Sequence, residues 1–500
     1  DCVGCAGDLE DNQAYGWIDN WEYNMKEKEN CTERGESMSE PNIVFIVIDA
    51  LRSRNLSCYG YDKKTSPNID KIAKDGILFE NAYSTTNATD PSLTSIFSGK
   101  FPRHNGIINH GERVKSDEIE IIKRTKLLPE ILKAKGYITI GLDWIDRWHK
   151  RGYNYYINNC FFNTSYKSKN VTSFIEKLAI NFRNNILERF PVSIQSFIKS
   201  FYDKFIYRTM IVGGNNEAEI VTDNAINLLN KHKNEKFFLF IHYWDVHTPY
   251  NPPVQYVNYG RYRNLLKTNE IDAKKLLYDG AIKFVDHNIG RIFESLEDLG
   301  VLENTLLIIT SDHGESLGEH EIYFDHHGLY EVSIKVPLII WYPKFEPLRI
   351  RAMVQHVDIM PTILELLNVD ESAYNLDGRS LLPLIRKEVD NFRSYIYVEE
   401  NYACSKKCII KNNFKYIFAS SVNDAFCRKC KKIHGGVEEL YDLNSDPEEI
   451  KNIAKEEKEV AEELKGDLLR VVKQLDDRRR RIERVIIQDR IRKLGSLGKI

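Results

Sequence analysis

The sequence predicts an α/β fold, a mixed and mostly parallel sheet with helices on both faces, followed by a small C-terminal α+β subdomain. Three observations carry this. Short continuous apolar runs, residues 43–48 (IVFIVI) and 237–241 (FFLFI), are the mark of strands buried on both sides. Helical patterns alternate with them, as crossover connections require. Residues able to ligate stand where the runs stop: Asp49, Asp245 with His247, and Asp312 with His313. The carboxyl edge of a parallel sheet is where such residues form a site.

Taken in order, residues 1–40 are polar and keep neither period, so they read as an extension containing Cys2, Cys5 and Cys31. From Pro41 the pattern changes: "PNIVFIVIDALR" is a strand ending in an acid, and "SPNIDKIAKDG" is a short helix with Ser66 as cap, Pro67 in its first turn and a closing glycine. "LLPEILKAKG" and "YITIGLDW" repeat the helix–strand unit. Residues 160–235 are less regular and read as a helical insertion, including "VTSFIEKLAINF" and "NEAEIVTDNAINLLNKH". Strands "KFFLFIHYWDVHTPY", "TLLIITSDHGE" and "VPLIIWYP", and a helix "VDIMPTILELLNV" capped by Asp358, complete a domain spanning 41–390. Short strand-like pieces mark a subdomain at 391–470, and the basic tail 471–500 has apolar residues at helical spacing. The tail reads as a docked helix, with a membrane or nucleic-acid arm as the alternative.

Composition limits the partners. With 70 basic and 73 acidic residues the net charge is −3, so no overall field points to nucleic acid. No apolar run approaches the roughly 18 residues of a membrane-spanning helix. The expected compartment is the cytoplasm, with a processed or trimmed N-terminus as the alternative. The nine cysteines are an odd number, against a complete disulfide framework. Four of them, Cys404-x3-Cys408 and Cys427-x2-Cys430, have spacing that suits a structural zinc ion, with free thiols or two local disulfides as the alternatives. Cys2, Cys5 and Cys31 offer three ligands of a second site.

The chemistry starts from Asp49, Asp312 and His313, which one sheet edge can bring together. Two carboxylates and a neutral imidazole suit zinc or manganese better than calcium or magnesium. Singly, Asp49 is also a plausible cap and His313 a satisfied core histidine. Thr89 opens "TDPSLTSIFSG", a helix with Pro91 in its first turn. Its hydroxyl is either a helix cap or a nucleophile, activated by direct coordination to a cation and by the positive helix end. A second metal would need Asp245 and His247 as ligands.

At these residues the chain resembles the sulfatase family of the alkaline phosphatase superfamily. "PNIVFIVIDALRSRNLSCYGY", "PSLTSIFSGKFPRHNG", "HYWDVHTPY", "TLLIITSDHGESLGEH", "LYEVSIKVPLIIWYP" and "EELYDLNSDPEE" follow the family's order across most of 41–450. The resemblance implies an alkaline phosphatase-like sandwich and one catalytic divalent metal on Asp49, Asp312 and His313, with Thr89 as both ligand and nucleophile. It implies that His247 contacts substrate and that His327 meets the leaving group, with His326 as its rival. Lys100 and Arg103 follow the nucleophile helix and either contact an anion or are simply solvated.

The departures bear on the reaction. Sulfatases keep a cysteine or serine, matured to formylglycine, in a Cys/Ser-x-Pro-x-Arg motif, where this chain has Thr89-Asp90-Pro91-Ser92-Leu93. Threonine cannot become that aldehyde. The paired aspartates after the first strand are here Asp49-Ala50, the second signature lacks its lysine, and His313 replaces an asparagine. These changes resemble the superfamily's threonine-using phosphohydrolases and transferases. The expectation is a metal-dependent hydrolase of sulfate or phosphate esters with a covalent intermediate on Thr89, phosphate and phosphonate ahead of sulfate. His247 or His327 would protonate the leaving oxygen. Its partner would be an anionic ester, glycan- or lipid-linked, and not a nucleic acid. A phosphoglycerol- or phosphoethanolamine-type transferase and a weakly catalytic zinc-containing binding module are the alternatives.

Overall fold

The apolar runs form a single large sheet in a computed structural model, which describes residues 40–158 and 217–496. Its strands are β1 (Asn42–Ile48), β2 (Ile77–Tyr83), β3 (Ile138–Asp143), β4 (Tyr155–Asn158), β5 (Phe237–Tyr243), β6 (Thr305–Thr310), β9 (Lys335–Trp341) and β10 (Leu348–Gln355), with a small hairpin of β7 (Ser316–Leu317) and β8 (Tyr323–Asp325) between β6 and β9. The order across the sheet is β10-β2-β9-β6-β1-β5-β3-β4. Only β9 runs antiparallel to its neighbours β2 and β6, so β1, β5, β3 and β6 bring their carboxyl ends to one edge.

Every residue of β1 is buried, for a reason visible along the strand. Val44, Ile46 and Ile48 enter one apolar cluster, and Ile43, Phe45 and Val47 enter the other. A strand with helices on both sides has no solvent face, so alternation is replaced by a continuous apolar run. The long helix Glu270–Asp298 and the helices Pro67–Lys74 and Glu217–His232 cover the first face. Thr89–Ser98, Leu128–Ala134 and Ile359–Leu366 cover the second. There Phe97 meets Phe45 and Phe240 edge-on, at centroid distances of 5.8 and 4.8 Å, which seats the Thr89 helix directly on the sheet.

The helix Glu217–His232 corrects the insertion boundary. Ala218, Val221, Ala225 and Leu229 pack into the sheet's core immediately before β5, so this segment belongs to the α/β repeat. Residues 160–216 of the expected insertion, and residues 1–39 with Cys2, Cys5 and Cys31, lie outside the described residues. Asp358 does not cap its helix through the side chain; its carboxylate accepts the Gln355 and Arg379 amides and pairs with the buried Arg393.

The C-terminal part is an antiparallel sheet, β11 (Ile396–Glu400), β12 (Lys406–Lys411), β13 (Phe414–Ala419) and β16 (Glu438–Asp442), with a two-stranded ribbon of β14 (Phe426–Cys427) and β15 (Lys432–Ile433) inserted before β16. The final helix begins at Lys458, so the boundary expected at 471 falls inside it. Ala461, Leu464, Leu468, Val471 and Leu475 bury one stripe of this helix against Tyr397, Ile409, Tyr416 and Leu440. Main sheet and C-terminal part together form one compact unit from Pro41 onward. No helix among the described residues is long and apolar enough to cross a membrane.

Candidate active site

Asp49, Asp312 and His313 meet at the carboxyl edge of β1 and β6, with one ligand atom from each mutually within 4.8 Å. All three are fully buried. Both Asp49 oxygens and Asp312 Oδ2 lack a hydrogen-bond donor, while Asp312 Oδ1 accepts the amides of Ala50 and His313. His313 Nδ1 donates to the Gly314 carbonyl at 2.8 Å, which leaves Nε2 as the acceptor nitrogen. That atom lies 3.6 Å from Asp49 Oδ1 and 3.3 Å from Asp312 Oδ2. Burial, then Asp312, raises the Asp49 carboxyl well above its ordinary range, and burial keeps His313 neutral. Three orphaned carboxylate oxygens facing one imidazole lone pair are the donor set of a divalent cation, so these residues fit the group that the family resemblance implies.

Backbone geometry holds this cluster. Gly314 sits so close to the next loop that a Cβ there would come within 2.0 Å of the Val332 carbonyl, which explains the glycine of "SDHGE". Ala50 adopts φ 58°, left-handed backbone that costs a non-glycine residue about 1 kcal/mol. Its amide bonds to Asp312 and its carbonyl accepts from Tyr278, which fixes the turn that aims Asp49.

Thr89 joins the same point: its Oγ1 is 3.3 Å from His313 Nε2. It is not the helix cap. Ala88 occupies that position and Thr89 is the first helical residue, which leaves its hydroxyl directed at the cluster. The helix end is met instead by Asp90, whose carboxylate accepts the Gly111 amide and faces His110, Arg147 and His149 at 3.0, 3.4 and 3.5 Å.

The histidines separate into two groups. His247 stacks on Trp244 and lies 5.6 Å, ring to ring, from His326. His326 is sandwiched between His313 and Tyr402, at 4.2 and 4.4 Å, and donates through Nδ1 to the Asn87 carbonyl. Burial lowers His247 to about 4 and takes His326 well below its ordinary value, so both are neutral near pH 7. His327 points elsewhere, with Nε2 3.2 Å from Cys430 Sγ and Nδ1 3.3 Å from Asp325. Of the two rivals, then, His326 faces the cluster.

Lys100 and Arg103 are not brought to it. They follow the far end of a ten-residue helix, about 14 Å along its axis from Thr89. Lys100 is buried near Asp377, and Arg103 pairs with Glu399 at 2.8 Å and Asp476 at 2.7 Å. The four cysteines also do not converge. Cys408 faces an apolar cluster between Val398 and Ile417, and Cys427 and Cys430 group instead with two histidines.

Sequence reasoning missed His242 and Asp143. His242 lies inside β5, with Nε2 3.7 Å from Asp49 Oδ2 and Nδ1 2.9 Å from Asp143 Oδ1 at the end of β3. The available signal was a histidine within a strand buried on both faces, one residue before the strand's end. Asp245 was read as a site residue, but its Oδ1 accepts the Ala218 amide and so serves the helix behind the sheet.

The chain is similar to known proteins over most of its length. The sulfatase family pattern matches residues 41–369, and the N-sulphoglucosamine sulphohydrolase C-terminal pattern matches 318–474. An N-acetylgalactosamine-6-O-sulfatase of Bacteroides thetaiotaomicron is 26% identical, over 88% of this chain and 94% of its own length. The human N-acetylgalactosamine-6-sulfatase is 25% identical, over 69% of this chain and 65% of its own length. Among solved structures, the phosphonate monoester hydrolase of Agrobacterium radiobacter shares the fold with a TM-score of 0.63 at 19% identity, covering 87% of this chain and 96% of its own. With a pattern match over most of its length and the fold of these enzymes, the chain belongs to the sulfatase family of hydrolases.

Proposed function

We propose that the chain hydrolyses an ester of phosphoric or sulfuric acid by attack of the Thr89 hydroxyl, at a site completed by one zinc or manganese ion on Asp49, Asp312 and His313. The observation that carries this is the buried meeting of Thr89 Oγ1, His313 Nε2 and three carboxylate oxygens without donors. A bound cation there supplies neutralisation of negative charge on the transferred group.

The chain's own residues do the rest. Thr89 gives up its hydroxyl proton and its Oγ1 forms a bond to phosphorus or sulfur as the bond to the ester oxygen breaks on the opposite side, that oxygen taking a proton from solvent to leave as the alcohol; the resulting O-phospho- or O-sulfothreonine is then opened by water. His247 and His326 each give their Nδ1 proton to a backbone carbonyl and present Nε2 as an acceptor. Their part is therefore to orient substrate hydroxyls and to take a proton from the attacking water. This differs from the leaving-group acid that the resemblance implied.

The relatives' names support a sulfate ester on an amino sugar as the substrate class, and so a glycan-linked ester. The reacting atom supports a phosphoryl ester, because threonine cannot mature to the aldehyde of sulfatases proper. We rank phosphate and phosphonate first, since the departure lies at the nucleophile itself. Turnover of aryl phosphates, phosphonates and aryl sulfates with added manganese or zinc tests the order. Thr89→Ala should lower turnover by at least about 10³-fold. Unchanged turnover removes Thr89 from the mechanism, and turnover confined to sulfate esters reverses the ranking.

A further inference from the structure

We propose that His327, Cys427, Cys430 and His434 hold one structural zinc ion, which fastens the C-terminal subdomain to the loop carrying His326. One ligand atom from each of the four lies within 4.8 Å of all the others. Tetrahedral bonds of about 2.0–2.3 Å place ligand atoms roughly 3.3–3.8 Å apart, so small side-chain rotations close the shell. His327 Nε2 and Cys430 Sγ are already 3.2 Å apart.

The local structure is built for this. Cys427 ends β14 and Cys430 lies in the turn to β15, so one short ribbon aims two sulfurs at one point. The Cys430 amide donates to Cys427 Sγ at 3.3 Å, which favours a thiolate. His434 Nδ1 donates to the His320 carbonyl at 2.9 Å, which leaves a buried Nε2 with no partner. On the opposite side, Asp325 lies 3.3 Å from His327 Nδ1. A carbonyl behind one imidazole and a carboxylate behind the other is the outer support that metal-bound histidines use. The spacing Cys427-x2-Cys430-x3-His434 is continuous in sequence, and only His327 comes from the main domain.

The geometric consequence is a link to the candidate active site. His326, next in the chain to the proposed ligand His327, is stacked between His313 and Tyr402. An ion at His327 would fix the loop on which that stack depends.

The test is metal content and thiolate ligation in the purified full chain. Wild-type protein grown with cobalt should show a thiolate-to-cobalt charge-transfer band, which the site at Asp49, Asp312, His313 and Thr89 cannot produce. Cys427→Ser and His434→Gln should each lose one equivalent of zinc, and Cys404→Ser should keep it. A wild-type protein without the band overturns the proposal and requires no variant to fold. So does zinc content unchanged in Cys427→Ser, or a Cys427–Cys430 disulfide seen as two missing thiols and a mass lower by two hydrogens.

Discussion

Asp245→Asn separates a carboxylate that serves the fold from one that serves the site. Asp245 lies just past β5 in "DVHTPY", and its Oδ1 accepts the Ala218 amide at 3.2 Å. Burial, then the neighbouring Glu217, pushes its carboxyl up to about 7. An unfolded aspartate titrates near ~3.9, so the folded chain holds this proton more tightly. The stability from that extra affinity is fully present below about pH 4 and is lost as pH rises through 7. A shift of roughly three units is worth about 4 kcal/mol, of which about 3 kcal/mol falls between pH 5 and pH 8. Asparagine keeps the acceptor for Ala218 and removes the charge. The expected outcome is that Asp245→Asn gains on the wild type by about 3 kcal/mol between pH 5 and pH 8 in paired urea denaturations, with metal content unchanged. Parallel pH profiles would refute the reasoning about burial. Loss of the catalytic metal would make Asp245 a ligand and revive a two-metal site.

Three further perturbations test the frame around Thr89. Arg103→Met should leave KM for an anionic ester unchanged but cost about 3–5 kcal/mol in denaturation, because Glu399 is left buried and unpaired. Phe97→Ala should cost about 3–5 kcal/mol by opening a cavity between Phe45 and Phe240, beneath the nucleophile helix. Gly314→Ala should cost at least about 2 kcal/mol and lower metal content, because a Cβ facing the Val332 carbonyl displaces His313; a variant with wild-type metal content would refute that link.

The fold was legible because its signals are local. A strand such as β1, covered on both faces, has to be apolar at every position, and the acid that ends it marks the sheet edge without any knowledge of partners. Asp49, Asp312 and His313 were found this way, each at a strand end. The misreadings come from contacts that sequence spacing does not encode. Lys100 and Arg103 follow Thr89 by little more than ten residues, but a helix converts that proximity into separation, and Arg103 turns to Glu399 and Asp476. His326 and His327 are adjacent and face opposite partners, which only the packing of Tyr402 and Cys430 decides. The two cysteine pairs were both closely spaced, yet alternation along β12 commits Cys408 to an apolar cluster, and the residues grouped with Cys427 and Cys430 are histidines, one of them about 100 residues away in the chain.

Leu93 shows how the site manages without the arginine that sulfatases keep at this position. It is fully buried in the apolar cluster under the helix, so the residue at this position serves packing. Arg147 faces the carboxylate of Asp90, and its charge is taken up there, beside His110 and His149. On the proposed reading, neutralisation of the ester's charge at Thr89 therefore depends on the cation held by Asp49, Asp312 and His313. Nucleophile and cation then act as one unit, and groups that act as a unit are not additive when removed. Chelation of the wild type and Thr89→Ala should each abolish turnover to the same extent, and chelating the Thr89→Ala variant should cost nothing more. Turnover with added manganese, measured on all four combinations, checks this. Two independent losses that multiply would mean that Thr89 and the cation work on separate steps.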